Sequence, residues 1–285
     1  MQGELVRFKT RDGLNLQGLL FEPKAKTSKI LVNVPGWVGN FYENPFIDSI
    51  SQSVLEKNIA FLTFNNRGAG IVTEFLRTNK RENIGGSLEI FEECLLDIEG
   101  ALNFLQKRGY TEMILQGHSL GCQKIIYYQY NKKDKRVKGL ILIAPVNDVE
   151  FVSKKLFNKS KYENSLKIAK DMIQEGKAQD PVPKWMQYYP MLSANMFLQV
   201  SDPNSTSGRI LDYSGKLTEL KDIRVPILAI FGSKDDFQIQ PADKLHIIQN
   251  VTGCDILLIK NSNHWFNSCE MKLAENISKW IVRKT

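Results

Sequence analysis

The chain has 285 residues, 42% of them hydrophobic and 24% charged, with a net charge of +7. That is an ordinary globular composition, long enough for one large domain or one domain carrying an insertion. No run approaches the length of a membrane span, and the excess Lys is spread along the chain without an interleaved basic and aromatic groove, so nucleic-acid binding is not expected.

The N-terminus, Met1-Gln2-Gly3-Glu4-Leu5, lacks a basic start followed by an apolar stretch, so no signal peptide is expected. Leu5 to Thr10 and Leu14 to Phe21 read as strands joined by a turn at Arg11-Asp12-Gly13. Lys29 to Val34 is a β-branched run that stops at Pro35-Gly36-Trp37-Val38-Gly39. A helix fits 45–57, with Ile47, Ile50 and Val54 on one face and Pro45 in its first turn. Ile59 to Phe64 is the next buried strand, and a loop of about twenty residues follows it. Gly85-Gly86-Ser87 opens a long helix whose buried face is Ile90, Cys94, Ile98, Ala101 and Leu105.

A short strand, Met113-Ile114-Leu115, then runs into Gly117-His118-Ser119-Leu120-Gly121 and a helix-compatible run from Cys122 to Tyr130. Val137 to Pro145 is another strand. The alternation resumes with a strand at Val225 to Phe231, a helix from Pro241 to Asn250 and a strand at Asp255 to Ile259. A last helix runs from Cys269 to Val282. Buried strands alternating with amphipathic helices predict an α/β fold, a mostly parallel central sheet with helices on both faces. Between Asn147 and Leu220 the pattern breaks for about seventy residues, far beyond the usual connection. Residues 147–220 are therefore expected to form an inserted cap over a core made of 1–146 and 221–285. Leu166, Ala169, Met172 and Ile173 suggest a helix in it, and Trp185, Met186, Tyr188, Tyr189, Met191, Met196 and Phe197 form an aromatic and methionine-rich stretch. Trp185 and Tyr188, with Trp37, are candidate walls of a substrate pocket; they can equally serve to anchor the cap.

The pentapeptide at 117–121 is Gly-x-Ser-x-Gly at a strand-to-helix turn. Such a tight turn pushes the serine hydroxyl out at the top of a sheet, and the following helix points free N–H groups where negative charge would develop. A serine hydroxyl needs a base, and the base needs an orienting acceptor. There are three histidines. His118 adjoins Ser119 but points the other way if the turn forms, and His246 lies inside a predicted helix. His264 sits in a loop after the last strand, where an open parallel sheet places its site, so exclusion makes it the base. Asp235, Asp236 and Asp148 each follow a strand and are each candidates for the acceptor. The backbone N–H of Leu120 and that of Trp37, in the loop after Val34, are the expected oxyanion donors.

These residues resemble the α/β-hydrolase superfamily, in which nucleophile, acid and base follow the chain order Ser119, Asp235, His264. The resemblance covers nearly the whole chain outside the cap. Gly232-Ser233-Lys234-Asp235 has the form of that family's Gly-x-x-Asp turn, which favours Asp235 as the acid. Asn66-Arg67-Gly68-Ala69-Gly70 resembles its structural Arg-Gly-x-Gly turn, while Pro35-Gly36 stands where its oxyanion loop usually has His-Gly. The stretch Gly117 to Val149 is also similar to a branch that includes siderophore esterases. The resemblance implies a serine esterase acting on a small or medium ester through an acyl-enzyme, with no metal or cofactor. Thioesters, amides and acyl transfer use the same groups, and a non-catalytic binding protein can keep the fold. The four cysteines have neither metal spacing nor a C-x-x-C pair, so a reducing, cytoplasmic location is expected. Cys94 and Cys122 read as small core residues.

Overall fold

The structure, a computed structural model, describes residues 2–285. Met1, where the signal-peptide reading begins, lies outside the described residues. The chain opens with the antiparallel pair β1 (Glu4–Lys9) and β2 (Asn15–Phe21). Next come β3 (Lys29–Val34), α1 (Phe46–Leu55), β4 (Ala60–Phe64) and a small hairpin of β5 (Thr73–Arg77) and β6 (Lys80–Ile84). A 3-10 turn, Phe91–Glu93, runs into α2 (Cys94–Lys107), followed by β7 (Glu112–His118), α3 (Leu120–Lys132) and β8 (Val137–Ile143).

The chain then leaves the sheet. It forms α4 (Asp148–Phe151), a π-helical turn Val152–Leu156, α5 (Lys159–Gln174) and a 3-10 turn Lys184–Met186. After them come α6 (Ala194–Ser201), α7 (Thr206–Ile210) and α8 (Thr218–Lys221). It returns as β9 (Ile227–Gly232), α9 (Pro241–Thr252), β10 (Asp255–Ile259) and α10 (Glu270–Lys284).

Eight strands form one sheet in the order β1-β2-β4-β3-β7-β8-β9-β10. Only β2 runs against the rest, antiparallel to both β1 and β4. The β-branched and Leu-rich strands β3, β4, β7 and β8 are buried on both faces, because α1 and α10 cover one side and α2, α3 and α9 the other. A polar row crosses this core. Gln116 Nε2 donates to Asn33 Oδ1 at 2.8 Å, and Asn33 Nδ2 donates to Thr63 Oγ1 at 3.1 Å, each between residues in register on neighbouring strands. From β3 the chain moves to β4 on one side, whereas from β7 it moves to β8 on the other. The loops after β3 and β7 thus diverge and leave a crevice at the strands' C-terminal edge.

Three sequence readings are corrected. The loop after β4 contains the β5–β6 hairpin. Its strands, Thr-Glu-Phe-Leu-Arg and Lys-Arg-Glu-Asn-Ile, bury only Phe75, so no apolar alternation announces them. The helix expected from Gly85 onward begins only at residue 91, and Ile90 is exposed. Residues 85–89 are held out of a helix by bonds to other segments: Gly85 N–H donates to Arg67 O and Ser87 N–H to Ile71 O. Pro45 sits at the N-cap of α1 instead of inside its first turn.

Candidate active site

Ser119 follows the last residue of β7 and caps α3 with φ +54 and ψ −125. A non-glycine residue in that region carries strain of about 1–3 kcal/mol and is tolerated only where its surroundings enforce it. Here they do. A Cβ on Gly117 would lie 2.3 Å from the Gly121 carbonyl oxygen, and one on Gly121 would lie 2.3 Å from the Val34 carbonyl oxygen. Only glycines allow strand, turn and helix to pack this closely, and that packing turns the serine outward.

His264 lies in the loop after β10 and is buried. Its Nδ1 is 3.0 Å from Asp235 Oδ2. The other oxygen of Asp235 accepts the N–H of Phe237 at 2.9 Å, which fixes the carboxylate plane. Of the three aspartates weighed from sequence, only Asp235 bonds to the imidazole. Asp236 is exposed, with its carbonyl accepting from Lys155 Nζ. Asp148 is hydrogen-bonded to Gln123. His246 is exposed on α9.

His118 is not turned away from the site. Its ring centroid is 4.8 Å from that of His264, and its Nε2 lies 3.0 Å from the His264 carbonyl oxygen. A carbonyl oxygen only accepts, so the proton sits on Nε2. Burial, and then the neighbouring His264, push the His118 pKa down to about 3, so the ring is neutral. Alternation along β7 would set His118 and Ser119 on opposite faces. The strand ends between them, however, and both project at its C-terminal edge.

Ser119, His264 and His118 line one cavity of about 430 Å³ at that edge. Gly36 and Trp37 form a second wall; a Cβ on Gly36 would lie 3.0 Å from that of Ser119, so the β3 loop rests directly on the serine turn. Tyr188 and Tyr189 come from the segment inserted between β8 and β9, and their rings lie 5.7 Å and 4.5 Å from Trp37. Phe151, Phe237, Trp265, Asp148 and, at the rim, Glu43 also line it. Trp185 is not part of it. It is 45% exposed and packs edge-on against Phe157, while its neighbour Met186 takes the buried position. Leu120 is buried at the start of α3, where its N–H belongs to the helix N-terminus. Among the described residues, no group of three or more His, Cys, Asp or Glu side chains is placed to hold a metal ion, and no helix is long and apolar enough to cross a membrane.

The segment 85–89 ties these parts together. Gly86 O accepts the Trp37 indole N–H at 2.6 Å, and Ser87 Oγ donates to Pro190 O at 2.7 Å. Glu89 accepts from Lys124 Nζ at 2.7 Å, one turn into α3, with both side chains fully buried. Gly68 makes room for this, since a Cβ there would lie 2.4 Å from the Glu89 carboxylate. Behind it, Arg67 bonds Asp97 through Nε, Nη2 and its own backbone N–H. Burial would lower the Arg67 pKa, but Asp97, Glu93 and Asp12 outweigh it and hold the guanidinium charged. The Arg67-Gly68 turn is thus a buried structural element.

Comparison with known proteins agrees with this architecture. Est1E from Butyrivibrio proteoclasticus, solved with ferulic acid bound, superposes with a TM-score of 0.68 at 16% identity, covering 97% of this chain and 98% of that one. DcsB, solved with a substrate analogue, gives 0.71 at 13% identity over 99% of both chains. Carboxylesterase CesB (YbfK) from Bacillus subtilis gives 0.57 at 16% identity, over 100% of this chain and 92% of that one. The fold is that of the α/β-hydrolases. No curated protein matches the sequence significantly. The chain belongs to the family described as protein of unknown function (DUF1749), whose model matches residues 86–253.

Proposed function

We propose that this chain is a serine hydrolase that cleaves a carboxylic ester of a small or medium organic substrate. The observation that carries the reading is the His264–Asp235 bond, 3.0 Å long, in a cavity that also presents Ser119 on a strained turn. In this reading Ser119 Oγ attacks the ester carbonyl carbon and its proton passes to His264 Nε2, while Asp235 holds the imidazole with Nδ1 protonated. The backbone N–H groups of Leu120 and Trp37 receive the oxyanion. Collapse breaks the C–O bond, and His264 returns the proton to the departing alcohol. A water molecule, deprotonated by the same imidazole, then attacks the acyl-enzyme. The acid leaves and Ser119 regains its proton.

The inserted residues 147–220 act as the cap in this reading, with Tyr188 and Tyr189 as walls of the substrate site. The three solved structures named above support it: one is a carboxylesterase and another holds ferulic acid, an aromatic acid. Here the rings of Trp37, Tyr188, Tyr189, Phe237 and Trp265 offer an apolar surface in the cavity, so an ester panel should begin with aryl and arylalkyl acyl groups.

Intact-mass labelling with a fluorophosphonate tests the proposal. Single labelling of the parent that is absent in Ser119→Ala is the expected result. A folded parent that neither labels nor turns over any ester in the panel sinks the reading and leaves a binding protein on a hydrolase fold.

A further inference from the structure

The charge inside the cavity runs against the charge of the chain. The protein carries a net +7, yet no Lys or Arg lines the cavity, while Asp148 and Glu43 do. Glu43 is exposed at the rim and accepts from Asn40 Nδ2 at 3.0 Å. Asp148 lies deeper, half-buried beyond Ile143 at the end of β8, in the cavity that Phe151, Tyr188 and Tyr189 also line. Its Oδ2 accepts Gln123 Nε2 at 2.8 Å. That amide cannot turn over, because the same Nε2 donates at 3.0 Å to the Val146 carbonyl oxygen, which only accepts. Gln123 therefore holds Oδ2, the residue's own backbone N–H also bonds to the carboxyl, and the group still faces the cavity. No cation is paired with this carboxyl among the described residues.

A carboxylate taken out of water without a counter-ion is costly. Evolution tolerates such a group where a ligand supplies the missing charge, and aromatic faces around it favour a cation over a neutral or anionic group. We propose that Asp148 is the specificity-determining residue of this cavity, selecting esters that carry a protonated primary amine. The ammonium donates to the carboxylate and rests against the ring faces. No acid–base step of the ester cleavage runs through Asp148, because the geometry gives His264 to Asp235.

Burial raises the Asp148 carboxyl to about 7 against the hydrogen bonds from Gln123 and from its own backbone N–H, so it is partly protonated near neutral pH. An arriving ammonium favours the ionised form and expels that proton. The ionisable groups that face Asp148 are the thiol of Cys122 on α3 and the phenols of Tyr188, Tyr189 and Tyr213, all pushed up by burial and therefore neutral from pH 5 to 8. His118 is neutral there too. His264 shares the cavity, so a comparison of matched ligands decides the matter, with pH dependence as its second arm.

The substrate class rests on the ester-hydrolase reading, but binding does not require turnover, so the two can fail separately. Calorimetric titration of the full-length protein with 2-phenylethylamine and with 2-phenylethanol compares nearly the same shape with and without the charge. The parent at pH 8 is expected to bind the amine about tenfold or more tighter than the alcohol, the scale of a charge-assisted hydrogen bond. The advantage should shrink several-fold at pH 5.5, and binding at pH 6.5 should release a proton. Asp148→Asn keeps an acceptor for Gln123 and is expected to bind the two ligands alike, with no proton release. Equal binding of both ligands by the parent overturns the proposal. So does an amine advantage that survives in Asp148→Asn, or an amine that does not bind in the millimolar range. If the variant does not fold, the parent's ratio and its pH dependence still decide.

Discussion

The segment Gly85–Glu89 buries a carboxylate and the cavity half-buries another at Asp148, and they treat them in opposite ways. Glu89 meets Lys124 at 2.7 Å, and Asp97 meets Arg67 at 2.9 Å, with all four side chains fully buried and none of them lining the cavity. Asp148 meets the Gln123 amide, its own backbone N–H and an open cavity, with no cation among the described residues. Charges that hold the fold are matched by the chain itself. The carboxyl that faces the cavity is left for something else to match. Burial of charge therefore does not by itself mark a functional group; the missing partner does.

Four sets of variants would break or sharpen this contrast. The largest effect belongs to the cavity. Ser119→Ala and His264→Ala are each expected to lower ester turnover by about 10⁴-fold or more, with thermal melts nearly unchanged. Parent-like turnover in either variant removes the proposed triad. The paired region should behave the other way. Lys124→Met strands Glu89 and should cost about 3–5 kcal/mol in urea denaturation, whereas Glu89→Leu combined with Lys124→Met should regain most of that. A single variant as stable as the double variant would mean that Glu89 is not charged in the fold. A smaller effect belongs to His118, whose N–H holds the backbone of the loop carrying His264. His118→Ala is expected to lower kcat by about 10- to 100-fold through misplacement of His264, with little change in KM. His118→Asn, which retains an N–H donor, should recover part of it. An alanine variant that alters KM alone would assign His118 to the substrate wall instead.

The two regions also differ in how far they could be read from sequence. The sheet was legible because β3, β4, β7 and β8 are nearly continuous apolar runs, and a strand buried on both faces writes itself that way. The serine turn was legible because its two glycines are dictated by contacts of 2.3 Å. The acid could be narrowed only to three aspartates by position, since a carboxylate's reach toward an imidazole depends on how two loops lie in space. The segment 85–89 was misread as helix because Glu89 looks like any surface glutamate until Lys124 is brought to it by α3. The inserted segment was the hardest part. Trp185 and Tyr188 are neighbours in one aromatic stretch, yet one is exposed and the other lines the cavity, a difference set by a single 3-10 turn at Lys184–Met186.

The smallest expected effect tests the contrast most directly, because it asks for stability gained by removing a charge. The Asp148 carboxyl sits at about 7 in the fold, raised by burial from an ordinary value of 3.8. The folded state therefore holds its proton more tightly than the unfolded state does. The contribution to stability is fully present below about pH 4 and is lost as pH rises through 7, where the carboxyl must ionise inside the fold. Asp148→Asn carries no such charge. Its melting temperature should match the parent's near pH 4 and exceed it at pH 8. Because the cavity admits solvent, the gain should be about 1 kcal/mol, or about 2–3 °C for a chain of this size. Glu89→Gln should show no such gain, since it leaves Lys124 buried without its partner. If Asp148→Asn melts with the parent at pH 8 as well as at pH 4, water already solvates the carboxylate, and the uncompensated charge that separates this cavity from the paired region is not there.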